Sequence, residues 1–310
     1  MKYTKEFKTF KEQVLLLKNR GLKFEKIDEN EAENILSHIN YYKLSNYIKA
    51  FENPKDVYFE VDFADAMKLY EFDRDLSRIL FGLVEKIEIS FKTSLAHTIS
   101  EYIINSTKNS DPFAYLDIKN WHDRKYIRDK KSAQEKENEF RQKICEYTNR
   151  DREKYIVDYF KKYNEEYVPL WVLIEIIDFG FACRMFSDSN IDIRKSIAKK
   201  YSILNYRDFN FYMKNLKFIR NKLAHNSYIW NLNLINKINK PIVTKIGDIS
   251  TGRIFAVLIV IKELMKRIDS NYDYTILRNL INDFFCSYPK LLNKFGVETG
   301  DCQIVNKIFN

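Results

Sequence analysis

Apolar residues recur along this chain at steps of three and four, which is the spacing of an amphipathic helix. The longest stretch with this pattern runs from about Asp62 to Tyr102, contains no Pro and holds a single glycine, Gly82. A helix of this length would extend roughly 60 Å, which is long for a globular protein. We therefore predict a break or bend near Gly82.

Helix boundaries can be predicted on both sides of this stretch. Gly21 stands where a C-terminal cap would close the first helix, and Asp28 with Glu31 forms a capping pair for the second. Pro169 is a favoured first-turn residue and begins an apolar helix that continues through Phe181. Four further helices are predicted over residues 190–201, 205–223, 253–268 and 274–286.

The pattern as a whole indicates an all-α fold. No stretch shows the alternation of a half-buried β-strand, and only 7 Gly and 5 Pro occur in 310 residues, which disfavours a many-turned β architecture. We predict an N-terminal helical segment at 1–60 and a helical domain at 61–230. An exposed, charged helical insertion is predicted at 105–165, and C-terminal helices at 231–310 are expected to pack on the same core.

The composition excludes several classes of protein. The segment Met1–Phe7 lacks the apolar core of a signal peptide, and the most apolar run, Val168–Cys183, is interrupted by two acids and is too short to cross a membrane. The four cysteines, at positions 145, 183, 286 and 302, lack metal-binding spacing. We expect a soluble cytoplasmic protein with free thiols, and no metal, cofactor or membrane partner.

The formal charge of +9 and the pI of about 9.1 are typical of proteins that bind nucleic acid. Codon bias of a low-GC genome, which enriches Lys, is the alternative explanation. The distribution favours binding, because the stretch from Arg194 to Lys222 holds nine basic residues and one acid. The predicted RNA-binding residues are Lys199, Lys200, Arg207, Lys214, Lys217, Lys222 and, outside this stretch, Arg74.

A short segment within the basic stretch carries candidate chemistry. Arg220 and His225 lie five residues apart, and on a helix Asn221 and His225 share a face while Arg220 lies about 140° away. These residue types suit RNA cleavage by the ribose 2′-hydroxyl, because a His can move the proton and an Arg can hold the phosphate and stabilise the phosphorane. A lone pair of this kind also occurs by chance, most often as surface or capping residues.

Five segments together carry a family resemblance. They are YYKLSNY at 41–47, YEFDRDL at 70–76 with VEKIEI at 84–89, PLWVLIE at 169–175 with FG at 179–180, RNKLAH at 220–225, and the trailing residues up to Asn231. In this order they resemble the Abi-like (AbiD/AbiF-type) abortive-infection proteins of the HEPN superfamily, whose signature is R-x4-6-H. Residues 232–310 carry no such segment.

The resemblance implies a HEPN-type helical bundle that acts as a homodimer. Two copies of the signature would face each other and form a metal-independent ribonuclease site. The implied role is that of an abortive-infection or toxin-type effector in phage defence, restrained by an antitoxin. RNA is the implied partner, both as substrate and, in some relatives, as a small regulatory noncoding RNA.

The resemblance also assigns roles to individual residues. The assigned residues are Arg220 and His225 as the catalytic pair, with Asn221, Glu175, Tyr228 and Asn231 in support. Glu175 would orient or neutralise Arg220, or else be an exposed residue on a helix rim. Tyr228 stands where the family has an Arg, so that one phosphate contact is lost or replaced by a hydroxyl.

Several alternatives stay open at the level of sequence. The chain could be a non-catalytic RNA-binding module, or a helical partner of another defence enzyme. Lys92 and His97 repeat the spacing of the signature, either as a degenerate second copy or by coincidence. Asp73 and Arg74 belong either to a buried polar network or to the RNA surface. The aromatic box at 41–51 is predicted to be core or interface in preference to a base-stacking platform.

Overall fold

The computed structural model describes residues 6–51, 58, 61–123, 133–150, 153–238, 241–298 and 303–309. These residues form α-helices and short 3-10 turns, and β structure among them is limited to two isolated bridges. The all-α prediction is therefore confirmed. Among the described helices, none is both long enough and apolar enough to cross a membrane.

The described residues hold fifteen α-helices. In chain order they are α1 (Phe10–Asn19), α2 (Glu29–His38), α3 (Tyr41–Ile48), α4 (Phe63–Thr107), α5 (Ala133–Arg150), α6 (Lys154–Lys162), α7 (Leu170–Ile176), α8 (Phe179–Asp188), α9 (Ile191–Lys200), α10 (Tyr206–Ala224), α11 (Pro241–Thr244), α12 (Ile254–Ile268), α13 (Thr275–Ser287), α14 (Leu292–Phe295) and α15 (Gln303–Phe309).

The chain divides into two compact units. The terminal unit comprises Met1–Ile79, Tyr228–Asn231 and Tyr274–Asn310, and the central unit comprises Leu80–Ser227 and Leu232–Asp273. This division cuts across the three segments drawn from the sequence, because the terminal unit combines residues from both ends of the chain.

Helix α4 runs continuously over 45 residues, so of the break or bend predicted near Gly82 the break is absent. Its apolar positions are buried along the whole length, among them Leu69 and Leu76 in the terminal unit and Leu83 and Ile87 in the central unit. Burial of one face stabilises a helix more than intrinsic propensity does, so one glycine does not break it. A Cβ added at Gly82 would meet no atom within 4 Å.

The predicted caps of the first two helices are present in the terminal unit. Gly21 has φ of 89°, and its N–H donates to the carbonyl of Lys18 at 2.9 Å, as expected where a glycine closes a helix. The carboxylate of Asp28 accepts from the N–H of Glu31 at 2.8 Å and caps α2.

Aromatic rings build much of the core of each unit. In the terminal unit, Phe72 of α4 stacks on Phe284 of α13, with ring centroids 4.3 Å apart. In the central unit, Phe91 of α4 packs edge-on against Phe186 of α8 at 5.7 Å. The segment without family resemblance after residue 231 therefore supplies core to the terminal unit through α13.

The charged insertion is less exposed than predicted. Within its described part, Trp121 is fully buried and its indole N–H donates to the carbonyl of Tyr115 at 2.8 Å. Ile144 and Tyr147 of α5 are buried as well. The high charge density of this segment led to the prediction of exposure, although several of its apolar side chains are buried in the core of the central unit.

The apolar helix predicted from Pro169 through Phe181 is divided into α7 and α8. Asp178 interrupts it: its carboxylate accepts from the N–H of Phe181 at 2.8 Å and also from the hydroxyl of Tyr147. An Asp side chain that caps a following helix competes with continued helix at its own position. Gly180 lies in the first turn of α8, where an added Cβ would come within 2.9 Å of that carboxylate.

Three of the four cysteines lie in the described residues and are free thiols, namely Cys145, Cys183 and Cys286. Burial raises the pKa of the Cys183 thiol to about 12. Cys302 lies outside the described residues.

Candidate functional site

The signature occupies the C-terminal end of helix α10 in the central unit. Arg220 and Asn221 belong to its last turns, and His225 is the residue that caps it, with its backbone N–H 3.1 Å from the carbonyl of Asn221. Asn226 follows with φ of 50°, a left-handed conformation that Asn tolerates and that ends the helix. Buried Ile219 and Leu216 fix this end of α10 in the core.

Arg220 is held by a carboxylate that the sequence did not assign to it. Its Nε donates to Oε2 of Glu88 on α4 at 3.3 Å, and the Glu88 side chain is 13% exposed. Neither terminal nitrogen of the Arg220 guanidinium forms a hydrogen bond or ion pair with a described residue, and the side chain is 37% exposed. The arginine is thus oriented from one side, and the edge that suits bidentate phosphate binding is left open.

Glu175 does not form the predicted pair with Arg220. Its side chain is exposed on α7, and its carboxylate forms no hydrogen bond or ion pair with a described residue. Its backbone carbonyl accepts from the Lys92 ammonium at 3.3 Å. The prediction assumed a buried carboxylate in need of a partner, and Glu175 corresponds instead to the alternative of a helix-rim residue.

Lys92 interacts electrostatically with Arg220 and with its partner Glu88. Burial lowers the pKa of Lys92, and the nearby Arg220 charge acts in the same direction, while the carboxylates of Glu88 and Glu175 oppose both effects. Glu88 and Lys92 stand four residues apart on α4 and so share one face of that helix. His97, the other half of the proposed second signature, is exposed and lies 4.0 Å from Glu101.

The imidazole of His225 and the amide of Asn221 are both exposed. Neither side chain forms a hydrogen bond with a described residue, so both are accessible to a bound molecule. Because Arg220 lies about 140° from His225 around the helix axis, the two side chains lie on different faces of one copy of α10.

A basic surface surrounds the signature on α9 and α10. Lys199, Lys200, Arg207 and Lys214 are exposed, and Lys217 and Lys222 are half-buried. None of these six forms an ion pair with a described acid, in contrast to Arg194, which pairs with Asp123 at 2.6 Å. Uncompensated cations at this density favour an anionic ligand.

Arg74, which was predicted to bind RNA, belongs instead to a polar network of the terminal unit. The carboxylate of Asp73 is fully buried and accepts from Nη2 of Arg74 at 2.8 Å and from the hydroxyl of Tyr47 at 2.7 Å. Its other oxygen accepts from the N–H groups of Ile229 and Trp230, at 3.0 and 2.8 Å. Burial, together with the Asp73 charge, raises the pKa of Tyr47.

This network explains the aromatic box and the trailing segment. Tyr47 is fully buried, as are Leu44 and Ile48 beside it on α3, so this part of the box belongs to the core as predicted, whereas Tyr42 is 62% exposed. Tyr228 is 39% exposed and Asn231 is half-buried. Both belong to the terminal unit, whereas Arg220, Asn221, Glu175 and His225 belong to the central unit.

Two residues of the site were missed or undervalued from sequence. Glu88 precedes Arg220 by 132 residues, so no spacing rule links them, and its only signal was its place in the VEKIEI segment. Lys92 had been noted only for its spacing to His97. In the described part of the chain, no group of three or more His, Cys, Asp or Glu side chains is arranged to hold a metal ion.

Comparison with known proteins agrees with the resemblance seen in the segments. No curated protein and no solved structure matches the chain. The sequence model of a family described as "Abi-like protein" matches residues 34–231, a range that includes all five segments and the whole of α10. Because this match covers well over half of the chain, the protein belongs to the Abi-like family, which indicates a function in abortive infection.

Proposed function

We propose that this protein is a metal-independent endoribonuclease of the HEPN type. The observation that carries the proposal is the state of Arg220: Glu88 orients it through Nε, and both terminal nitrogens are left open toward the surface. The exposed side chains of Asn221 and His225 end the same helix. A phosphate-binding group and a proton-transfer group are thus both accessible to RNA.

The reaction proposed is transesterification within the RNA strand. His225 accepts the proton of a ribose 2′-hydroxyl, and the 2′-oxygen attacks the adjacent phosphorus. The bond from phosphorus to the 5′-oxygen breaks, and that oxygen takes up a proton as it leaves. Arg220 stabilises the charge that develops on the phosphorane oxygens, and Asn221 supports the site by hydrogen bonding. The products are a 2′,3′-cyclic phosphate and a 5′-hydroxyl.

The basic surface supports RNA as the substrate. Six cations on α9 and α10 have no acidic partner among the described residues, and RNA phosphates would neutralise them with release of counterions. Their position on the two helices that lead into the signature favours single-stranded RNA drawn past Arg220. A merely solvated face would be expected to mix both signs of charge.

The active form proposed is a homodimer. About 140° separates Arg220 from His225 around α10, so two facing copies of the signature would bring complementary side chains together across an interface. The family resemblance implies the same arrangement. Light scattering on the purified protein measures this directly, and a monomer that cleaves RNA at full rate would contradict it.

In the cell, such an activity would arrest growth of an infected host as part of phage defence. Membership of the Abi-like family supports this role. Unregulated cleavage of RNA would be toxic, so we expect an antitoxin, which in this proposal is an RNA held by the same basic surface.

The proposal is tested by RNA cleavage in the presence of EDTA. Arg220→Ala and His225→Ala should each lower the rate at least 100-fold, because each removes a transition-state contact. His38→Ala and Arg78→Ala are the matched controls, since His38 is an exposed histidine at the end of α2 and Arg78 is an exposed arginine of α4. Both controls should cleave at the wild-type rate.

The same assay distinguishes this nuclease function from a second candidate function, RNA binding without cleavage. If no variant and no wild-type protein cleaves RNA while all bind it in a salt-dependent manner, the chain is an RNA-binding module without activity. The presence of Tyr228 in place of the family's Arg is the observation that favours this second candidate.

A further inference from the structure

A cleft of about 470 Å³ opens in the central unit between α4 and α7. Its apolar lining includes Ala96 and Ile174, and its polar lining includes His97, Glu101 and Glu175. The exposed ring of Trp171 forms part of its wall. Concave sites with an apolar floor and a few convergent polar groups are typical ligand sites, and the volume suits one nucleotide-sized molecule.

Trp171 has the properties of a stacking platform. It is 56% exposed and its ring makes no aromatic contact with a described residue, whereas Trp121 and Trp230 are each 1% exposed. An exposed indole on a short helix contributes little to the core. Single-stranded RNA is commonly bound by stacking of unpaired bases on such rings.

The polar lining is suited to one edge of a base. The Glu175 carboxylate forms no hydrogen bond or ion pair with a described residue, and Glu101 lies 4.0 Å from Nδ1 of His97. A carboxylate accepts two hydrogen bonds from the adjacent imino and amino groups of guanine, while uracil offers one imino donor. His97 can donate to the guanine carbonyl.

The cleft lining and the carboxylate that binds Arg220 lie on one face of α4. Glu88, Lys92 and Ala96 stand at intervals of four residues, so the Arg220 partner and the cleft lining are about 12 Å apart along the helix. Lys92 links the two places, because its ammonium donates to the Glu175 carbonyl. A base in the cleft would therefore direct its phosphate toward Lys92 and Arg220.

We infer that the cleft between α4 and α7 is a nucleobase subsite that selects guanine in single-stranded RNA, by stacking on Trp171 and hydrogen bonding to Glu175. This inference rests on the proposed function, and it names the substrate feature that the nuclease would read. Trp171 and Glu175 act here as specificity residues and take no part in bond breaking.

Tryptophan fluorescence of the full chain tests the inference. GMP should quench the emission saturably, because Trp171 is the exposed tryptophan, and UMP should bind about tenfold more weakly. Trp171→Phe should remove the quenching signal while calorimetry still detects GMP binding. Glu175→Gln should reduce the preference for GMP to near unity, and Glu85→Gln, an exposed acid of α4 outside the cleft, should leave it unchanged.

Equal affinity for GMP and UMP, or unchanged preference in Glu175→Gln, would overturn the assignment. So would an absence of quenching by GMP, or stronger quenching by spermidine, which would mark a site for cations between the two carboxylates. The readout does not depend on cleavage. If the protein cuts RNA without binding GMP, only the subsite assignment is refuted. If it binds GMP in the cleft without cutting RNA, only the proposed nuclease activity is refuted.

Discussion

Among the described residues, the guanidinium of Arg220 pairs with one carboxylate, that of Glu88, which fixes the orientation of the arginine. Glu88 is half-buried and contacts Nε, so it positions the arginine without occupying the nitrogens that would bind phosphate. Lys92 lies in the same surroundings and competes electrostatically for Glu88. In the proposed mechanism Glu88 is therefore a positioning residue.

We predict that Glu88→Gln lowers kcat for RNA cleavage by about 10- to 100-fold, because a misplaced Arg220 loses alignment with the phosphorane. KM should change less than kcat, since the basic surface on α9 and α10 remains. Glu85→Gln on the same helix should keep the wild-type kcat. An equal loss in both variants would indicate a general charge effect and contradict the positioning role.

Asp73 is the corresponding key residue of the terminal unit, with a structural role. One buried carboxylate satisfies Tyr47, Arg74 and two backbone N–H groups at Ile229 and Trp230. Three of the segments that resemble the Abi-like family meet in this network. These three segments therefore contribute to the folding of this unit, and Arg74 belongs to the buried polar network, which was one of the two alternatives that the sequence left open.

Removal of this carboxylate should be costly. Asp73→Ala leaves a hydroxyl, a guanidinium and two N–H groups without their acceptor, and we expect a loss of about 3–5 kcal/mol in the free energy of unfolding, measured by urea denaturation. Asp75→Ala, which removes an exposed pair with Arg78 on the same helix, should cost no more than about 0.5 kcal/mol. Similar losses for both would contradict the assigned network.

At the scale of elements, helical periodicity identified most helices, and capping residues located their ends. The helices predicted to begin at residues 190 and 205 begin one residue later, because Asn190 and Asn205 cap α9 and α10. Helical periodicity did not predict the helix boundaries where a side chain competes for backbone hydrogen bonds, or where packing overrides the low helix propensity of a residue. Asp178 divides one apolar run into α7 and α8, and burial on both sides carries α4 through Gly82.

Helix α10 joins the signature to the basic surface, and this predicts a salt effect. Lys214→Gln/Lys217→Gln should weaken RNA binding and reduce the slope of log affinity against log salt by about 1.4, since each phosphate contact on a single strand contributes about 0.7. Binding is measured by fluorescence anisotropy over a series of salt concentrations. Lys8→Gln/Lys11→Gln on the N-terminal segment is the charge-matched control, and an equal change in its slope would show that only net charge matters.

For the whole molecule, the family resemblance has two physical origins. The segments of the terminal unit build the Asp73 network, and those of the central unit supply Glu88, the Trp171 side of the cleft and the signature on α10. The proposed pair of Arg220 and His225 could be selected from the sequence because its residue types carry chemistry at a short spacing. The Glu88 contact was not predictable, because 132 residues and the fold itself separate it from Arg220.

The proposed function requires that Arg220 and His225 cleave RNA through the ribose 2′-hydroxyl. The most direct measurement is the chemical identity of the ends that the purified protein produces from single-stranded RNA in EDTA. We predict 2′,3′-cyclic phosphate and 5′-hydroxyl ends with the wild type, and intact RNA with the Arg220→Ala/His225→Ala double variant. Ends with a 3′-hydroxyl and a 5′-phosphate, or fragments that persist with the double variant, would contradict it.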